Sequence, residues 1–153
     1  MKKKILLGVL VVLVAIQFIR PAKNLGAAEP GPNDITVLHP TSLEVKAILA
    51  RACYDCHSDR TRYPWYAEVQ PVGWWLAWHV KEGKRHLNFS QFGVYPGTRA
   101  SRKLTQLMEE TKDEGMPLPS YTWIHRDAKL TDAQIATVCD WAEALQEKIA
   151  PEK

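Results

Sequence analysis

Between residues 52 and 58 the chain reads Ala-Cys-Tyr-Asp-Cys-His-Ser, with two thiols and an imidazole within five positions. Any fold this chain adopts must present Cys53, Cys56 and His57 together. Three chemistries use such a group: attachment of a porphyrin, coordination of zinc, or a thiol–disulfide redox pair. The 153 residues contain only three cysteines, which excludes a disulfide framework and leaves a local thiol motif to be explained.

The rest of the chain narrows the choice. Residues 1–23 carry Lys2, Lys3 and Lys4, then a run from Ile5 to Ile19 that is apolar except for Gly8 and Gln17, then Arg20. This is the pattern of an export signal. The small residues Ala27 and Ala28 lie well beyond the apolar run, so the expectation is an uncleaved anchor. The lysines would then be cytoplasmic and everything after Arg20 outside. A removed signal peptide, giving a soluble periplasmic domain, is the alternative and leaves the compartment unchanged. Residues 24–40, with turn formers and prolines, read as a linker, and residues 41–150 as one domain.

The formal charge of +3 resides in the leader: residues 1–23 hold five basic and no acidic side chains, leaving fifteen basic against seventeen acidic beyond them. A nucleic-acid binder would place its basic excess on the domain. No nucleic-acid partner is therefore expected.

Four helical patterns follow. Thr41-Ser42-Leu43-Glu44 forms a capping box before a stripe of Leu43, Val45, Ile48, Leu49 and Ala52, which runs into Cys53. A second pattern, Pro71 to His86, carries three tryptophans, with Gly83 weakening its far end. A third runs from Thr98 to Asp113, and a fourth from the box Thr131-Asp132-Ala133-Gln134 to Lys148. No period-two strand is evident. The fold class expected is all-α, four helices after an apolar N-terminal helix.

Two thiols three positions apart can each add to a vinyl group of one porphyrin, and a histidine directly after the second can donate to iron. The attachment chemistry and the export signal point to the same compartment. A redox pair would want a βαβ context, and zinc would want two more spaced ligands. Haem therefore leads, with one haem for one motif.

The sixth ligand decides the chemistry. Met116 lies in Glu114-Gly115-Met116-Pro117-Leu118-Pro119-Ser120-Tyr121, where glycine and prolines force an irregular loop that presents a thioether rather than packing it. Met108 reads as helix core. His79 and His86 are alternative ligands, while His125 reads as a loop tie and His39 as an exposed linker residue. Trp65, Trp74, Trp75, Trp78 and Tyr121 are candidate haem cover, and Arg60, Arg62, Arg85 and Trp123 candidate propionate donors. Lys81, Lys84, Arg85, Arg99, Arg102 and Lys103 read as a solvated basic face or a partner patch, Glu109, Glu110, Asp113 and Glu114 as a solvated acidic one, and Cys139 as core.

The motifs ACYDCHS, TRYPWY, QPVGWWLAWHV, EGKRHLNFS and EGMPLPSYTWIHRDAKLT resemble the bacterial haem-binding domain proteins, small membrane-anchored c-type cytochromes. The order of motif, methionine-proline loop and closing helix is similar to mono-haem class I cytochromes c. The resemblance spans about residues 40–148; the stretch between the motif and Met116 departs from the generic cytochrome pattern. It implies a cytochrome c-like domain around one covalent haem c attached through Cys53 and Cys56, with His57 as proximal and Met116 as distal iron ligand. A six-coordinate haem of this kind transfers one electron to and from redox partner proteins. A haem enzyme or gas sensor with a displaceable distal ligand and peroxidase-like turnover is the competing expectation.

Overall fold

The computed structural model describes residues 1–149; Ala150, the last residue of the expected domain, lies outside them. It is all-helical, and among the described residues the only β pairing is an isolated bridge between Leu25 and Arg60. The four expected helices are α3 (Leu43–Ala52), α5 (Val72–His86), α6 (Gly97–Lys112) and α8 (Asp132–Ile149), joined by α1 (Lys2–Ile16) and the short α2 (Ile35–Leu38), α4 (Tyr54–His57) and α7 (Pro119–Thr122).

Local chemistry sets the starts of α3 and α8. At α8 the box is reciprocal: Thr131 Oγ1 accepts from Gln134 N at 3.3 Å and Gln134 Oε1 accepts from Thr131 N at 3.0 Å. At α3 the cap is one residue later than the sequence pattern places it. Ser42 Oγ accepts from Val45 N, while Thr41 turns its hydroxyl to the His39 carbonyl.

The core forms where α3 and α6 meet α8. Val45 and Leu49 of α3, Ala100 and Leu104 of α6, and Ala142 and Leu145 of α8 are buried together with Ile35, Leu87, Phe89 and Phe92. Met108 packs against this cluster and Cys139 is buried on α8, as their apolar stripes require. Gln146 staples α8 to α6 through Ser101 and Thr105.

Four parts of the chain depart from the pattern reading. The expected linker 24–40 is docked rather than free. Asn24 bonds Ser58 and Thr61, Gly26 N donates to Asp59 O, and Ile35 is fully buried because the short α2, capped by Asp34, turns its apolar side onto the core. His39 accordingly sits edge-on to Phe92 instead of in solvent. Half of the six-residue basic cluster is also engaged: Lys103 is buried with its ammonium on the His86 carbonyl, Lys84 pairs with Asp59, and Arg85 with Glu82.

The N-terminal apolar helix forms, but it ends at Ile16, three residues short of the apolar run. Gln17 is drawn aside, its amide exchanging hydrogen bonds with the Gln70 backbone at 2.9 and 3.1 Å. Fifteen residues at about 1.5 Å each span roughly 22 Å, against a hydrocarbon core of about 30 Å. Among the described residues, no helix is long and apolar enough to cross a membrane.

Gly83 does not weaken α5, which continues to His86. Its missing side chain lets α5 lie directly on α4: a Cβ there would stand 2.6 Å from the Cys56 carbonyl oxygen. Gly83→Ala should therefore destabilise the protein by about 1–3 kcal/mol through overpacking, despite the roughly 1 kcal/mol that alanine gains in helix propensity. Thermal melts check this; a raised midpoint would show that the two backbones are not held at this spacing.

Candidate functional site

Cys53 closes α3, its N–H donating to Leu49 O at 2.9 Å, and opens α4, its carbonyl accepting from His57 N at 3.0 Å. The single turn α4 carries Cys56 and His57 three and four positions on, so all three side chains share one side of the turn. Both thiols are unpaired. Burial, aided by the neighbouring Cys56, pushes the Cys53 thiol up to about 12; burial, aided by Asp55, pushes Cys56 up to about 11. A redox C-x-x-C pair needs the opposite, a lowered thiol pKa. Among the described residues, no group of three or more histidine, cysteine or acidic side chains is placed to hold a metal ion, so the zinc alternative lacks its donors.

His57 is oriented by the backbone. Its Nδ1 lies 2.9 Å from the Leu87 carbonyl oxygen. A carbonyl only accepts, so Nδ1 carries the proton and, in the neutral ring, the Nε2 lone pair is left free. Burial lowers the His57 pKa against the opposing pull of the Leu87 and Gly83 carbonyls, which favours that neutral ring. Two thiols and one free imidazole nitrogen on a single turn are the donor set a covalently attached haem requires, and the residues fit that group.

The carbonyl is itself held in place. Leu87 N donates to Gly83 O, and Asn88 N donates to the Tyr95 hydroxyl. Asp59, two residues past the motif, accepts from Asn88 Nδ2 at 2.8 Å and Gln91 Nε2 at 2.6 Å and pairs with Lys84 at 3.0 Å. Phe89, buried beside Leu87, stacks on Tyr54 at 5.3 Å and meets the His57 ring at its edge.

On the other side of the motif, Asp55 accepts from Arg62 and, at 2.8 Å, from the Tyr121 hydroxyl. Tyr121 stacks on His125 at 4.4 Å, and His125 Nε2 shares a 2.7 Å hydrogen bond with the Tyr66 hydroxyl. Burial and then Asp55 raise the Tyr121 pKa, so the phenol stays protonated. Met116 lies five residues before Tyr121, its N–H on the Glu110 carbonyl. Five residues reach at most about 17 Å, so the Tyr121–Asp55 bond bounds how far the Met116 backbone lies from the motif.

The remaining expected residues divide. His79 bonds Trp75 O through Nδ1 and sits between Trp75 and Trp78, leaving its Nε2 free. His86 Nε2 contacts Arg85, and His125 is committed to Tyr66. Trp65, Trp75, Trp78 and Trp123 are exposed, and Trp74 Nε1 donates to Ile19 O beside α1. Arg60, Arg62 and Arg85 are engaged with Gly26, Asp55 and Glu82 respectively. Sequence reading missed Asp55, Asp59, Gly83 and the Leu87 carbonyl; only Gly83, an isolated glycine inside a helical pattern, carried a local signal.

Residues 11–144 match the family model described as "Haem-binding domain". No curated protein and no solved structure matches the chain.

The Asp59 brace gives a pH-dependent prediction. Burial alone would raise the Asp59 pKa, but Gln91, Asn88 and Lys84 outweigh it and hold the group below its ordinary 3.8. A depressed carboxylate contributes stability that is complete above its ordinary value and lost as pH falls through the lower folded one. Asp59→Asn should lower the melting temperature at pH 7 and remove that part of the acid-limb slope below about pH 4. Melts from pH 7 to 2.5 test this, and parallel curves for the two proteins would reject the brace.

Proposed function

The chain belongs to the haem-binding domain family, and we propose that its haem is a single haem c carried for one-electron transfer outside the cytoplasm. Cys53 and Cys56 would hold it through thioether bonds, with His57 Nε2 and Met116 Sδ as the iron ligands. The observation that carries this reading is the His57–Leu87 hydrogen bond, which aims a free Nε2 from the same turn as two unpaired thiols. When bound, the haem supplies a one-electron iron couple. A second bond from Met116 leaves no position for substrate, and its soft sulfur favours the reduced metal.

The N-terminal helix supports a membrane location. Its side chains from Met1 to Val14 are all exposed and it buries nothing on the domain. We assign it to the bacterial inner membrane, with Lys2, Lys3 and Lys4 on the cytoplasmic side and the haem domain in the periplasm; as folded, α1 is shorter than the hydrocarbon core, so crossing requires local thinning of the bilayer and lysine side chains that reach out to the headgroups. Its end is fixed to the domain by Gln17–Gln70, Trp74–Ile19 and the ion pairs of Arg20 and Lys23 with Glu68. The partners are redox proteins that approach the domain from the aqueous side.

His79 offers a second reading of the distal ligand, favoured by its free Nε2 beside two indole rings. Spectroscopy of the oxidised protein separates the two. A methionine-to-iron charge-transfer band that is present in the wild type, lost in Met116→Ala and kept in His79→Ala supports Met116; a low-spin wild type without that band, whose spectrum is kept in Met116→Ala and turns high-spin in His79→Ala, assigns His79. A wild type that is high-spin when oxidised and binds carbon monoxide readily once reduced supports the enzyme or sensor reading instead. The intact mass should exceed the polypeptide by one haem, and that excess should survive denaturation. Retention of residues 1–23 in the membrane fraction tests the anchor.

A further inference from the structure

We propose that Asp55 and Tyr121 form a latch that holds the Met116 segment against the haem motif, which makes both positioning residues for the distal ligand. The inference rests on Met116 as that ligand and adds what sets its position. Asp55 stands between the two thiols, so its carboxylate moves with the haem attachment itself. Its side chain is only 14% exposed. Arg62 fixes it through three bonds, from N at 3.0 Å, Nε at 3.1 Å and Nη2 at 3.0 Å, and Arg62 Nη2 also donates to Ala50 O on α3. A carboxylate restrained on that scale is a stiff acceptor for the Tyr121 hydroxyl, which reaches Oδ2 at 2.8 Å.

Tyr121 lies on α7, the turn that follows Met116-Pro117-Leu118. The segment is tied at one end where Met116 N donates to Glu110 O at the close of α6, and at the other through the Tyr121 phenol on Asp55. Stacking of Tyr121 on His125, itself bonded to Tyr66, stops the ring from swinging away. The thioether is thus suspended between two fixed points. One of those points belongs to the motif that carries the proximal ligand. A bond to a charged acceptor is stronger than a neutral one, so its loss should loosen the distal segment without touching the His57–Leu87 bond.

The test uses the full-length haem-loaded protein as wild type, Tyr121→Phe and Asp55→Asn. Imidazole binding to the oxidised iron reads release of the distal thioether. Amide hydrogen exchange reads the segment 115–125 directly, with α8 as internal control. Tyr121→Phe, which removes only the hydroxyl, should bind imidazole about tenfold faster and exchange faster in 115–125, with α8 unchanged. Asp55→Asn keeps an acceptor for the phenol and should show a smaller effect on both. Imidazole rates and exchange within twofold of wild type in Tyr121→Phe would overturn the latch. A wild type without the thioether band overturns the Met116 reading instead, and the latch is then decided by exchange in 115–125 alone.

Discussion

The bond from His57 Nδ1 to the Leu87 carbonyl is the constraint around which the rest of the domain is arranged. It fixes a tautomer and a direction at once: one ring nitrogen is spent on the backbone, and the other is left free. For that carbonyl to be present, α5 must end at His86 with its last turn against α4. The first condition is met by the extended backbone at Leu87 and the second by the absence of a side chain at Gly83. Asp59 then ties the chain after the motif to Asn88 and Gln91, so the ring and its acceptor are braced as one unit. The arrangement is the familiar logic of a metal-ligating imidazole whose second nitrogen is held by an acceptor.

Much of this molecule is legible in the sequence, and what is legible is local. The starts of α3 and α8 follow from hydroxyl and amide side chains bonding backbone groups three residues away, and the buried stripes follow from helical periodicity. The Cys53-Cys56-His57 group is fixed by spacing because a single turn carries it. What could not be read depends on residues far apart in the chain. Nothing near Asp59 announces Asn88, and nothing near Asp55 announces Tyr121. The segment 24–40 looked like a linker because its composition is that of turns; its docking comes from Asn24 on Ser58 and Thr61 and from one isoleucine, Ile35, entering a core built elsewhere.

The basic residues illustrate the same limit. Counted along the chain, Lys81 to Lys103 looks like a patch for an acidic partner. In the fold, Lys103 neutralises the carbonyl end of α5 at His86, Lys84 supports the Asp59 brace and Arg85 pairs within its own helix. Lys103 and Lys84 serve the geometry around His57, and the charge left on the surface is smaller than the sequence suggests. Exposed tryptophans on α5 and the Trp65 turn, by contrast, leave a large apolar surface outside the core. A porphyrin needs apolar lining on both faces, so a chain that binds haem has a use for exposed surface of this kind.

Five residues therefore engage α2, the Arg62 loop, α5, the Leu87–Phe89 stretch and α7. Cys53 ends one helix and begins the next, Tyr54 stacks on Phe89 and bonds Asp34, Asp55 holds Arg62 and Tyr121, Cys56 lies under Gly83, and His57 reaches Leu87. The two positions that the C-x-x-C-H spacing leaves open are thus not spacers. Tyr54 fastens the motif to the core on the side of Phe89 and Asp34, and Asp55 fastens it to the segment that carries Met116. Replacing either would leave every ligand of the spacing rule intact while altering what each ligand faces. In this family member the identity of the open positions is part of the site, because a one-turn helix has only those two side chains with which to position itself.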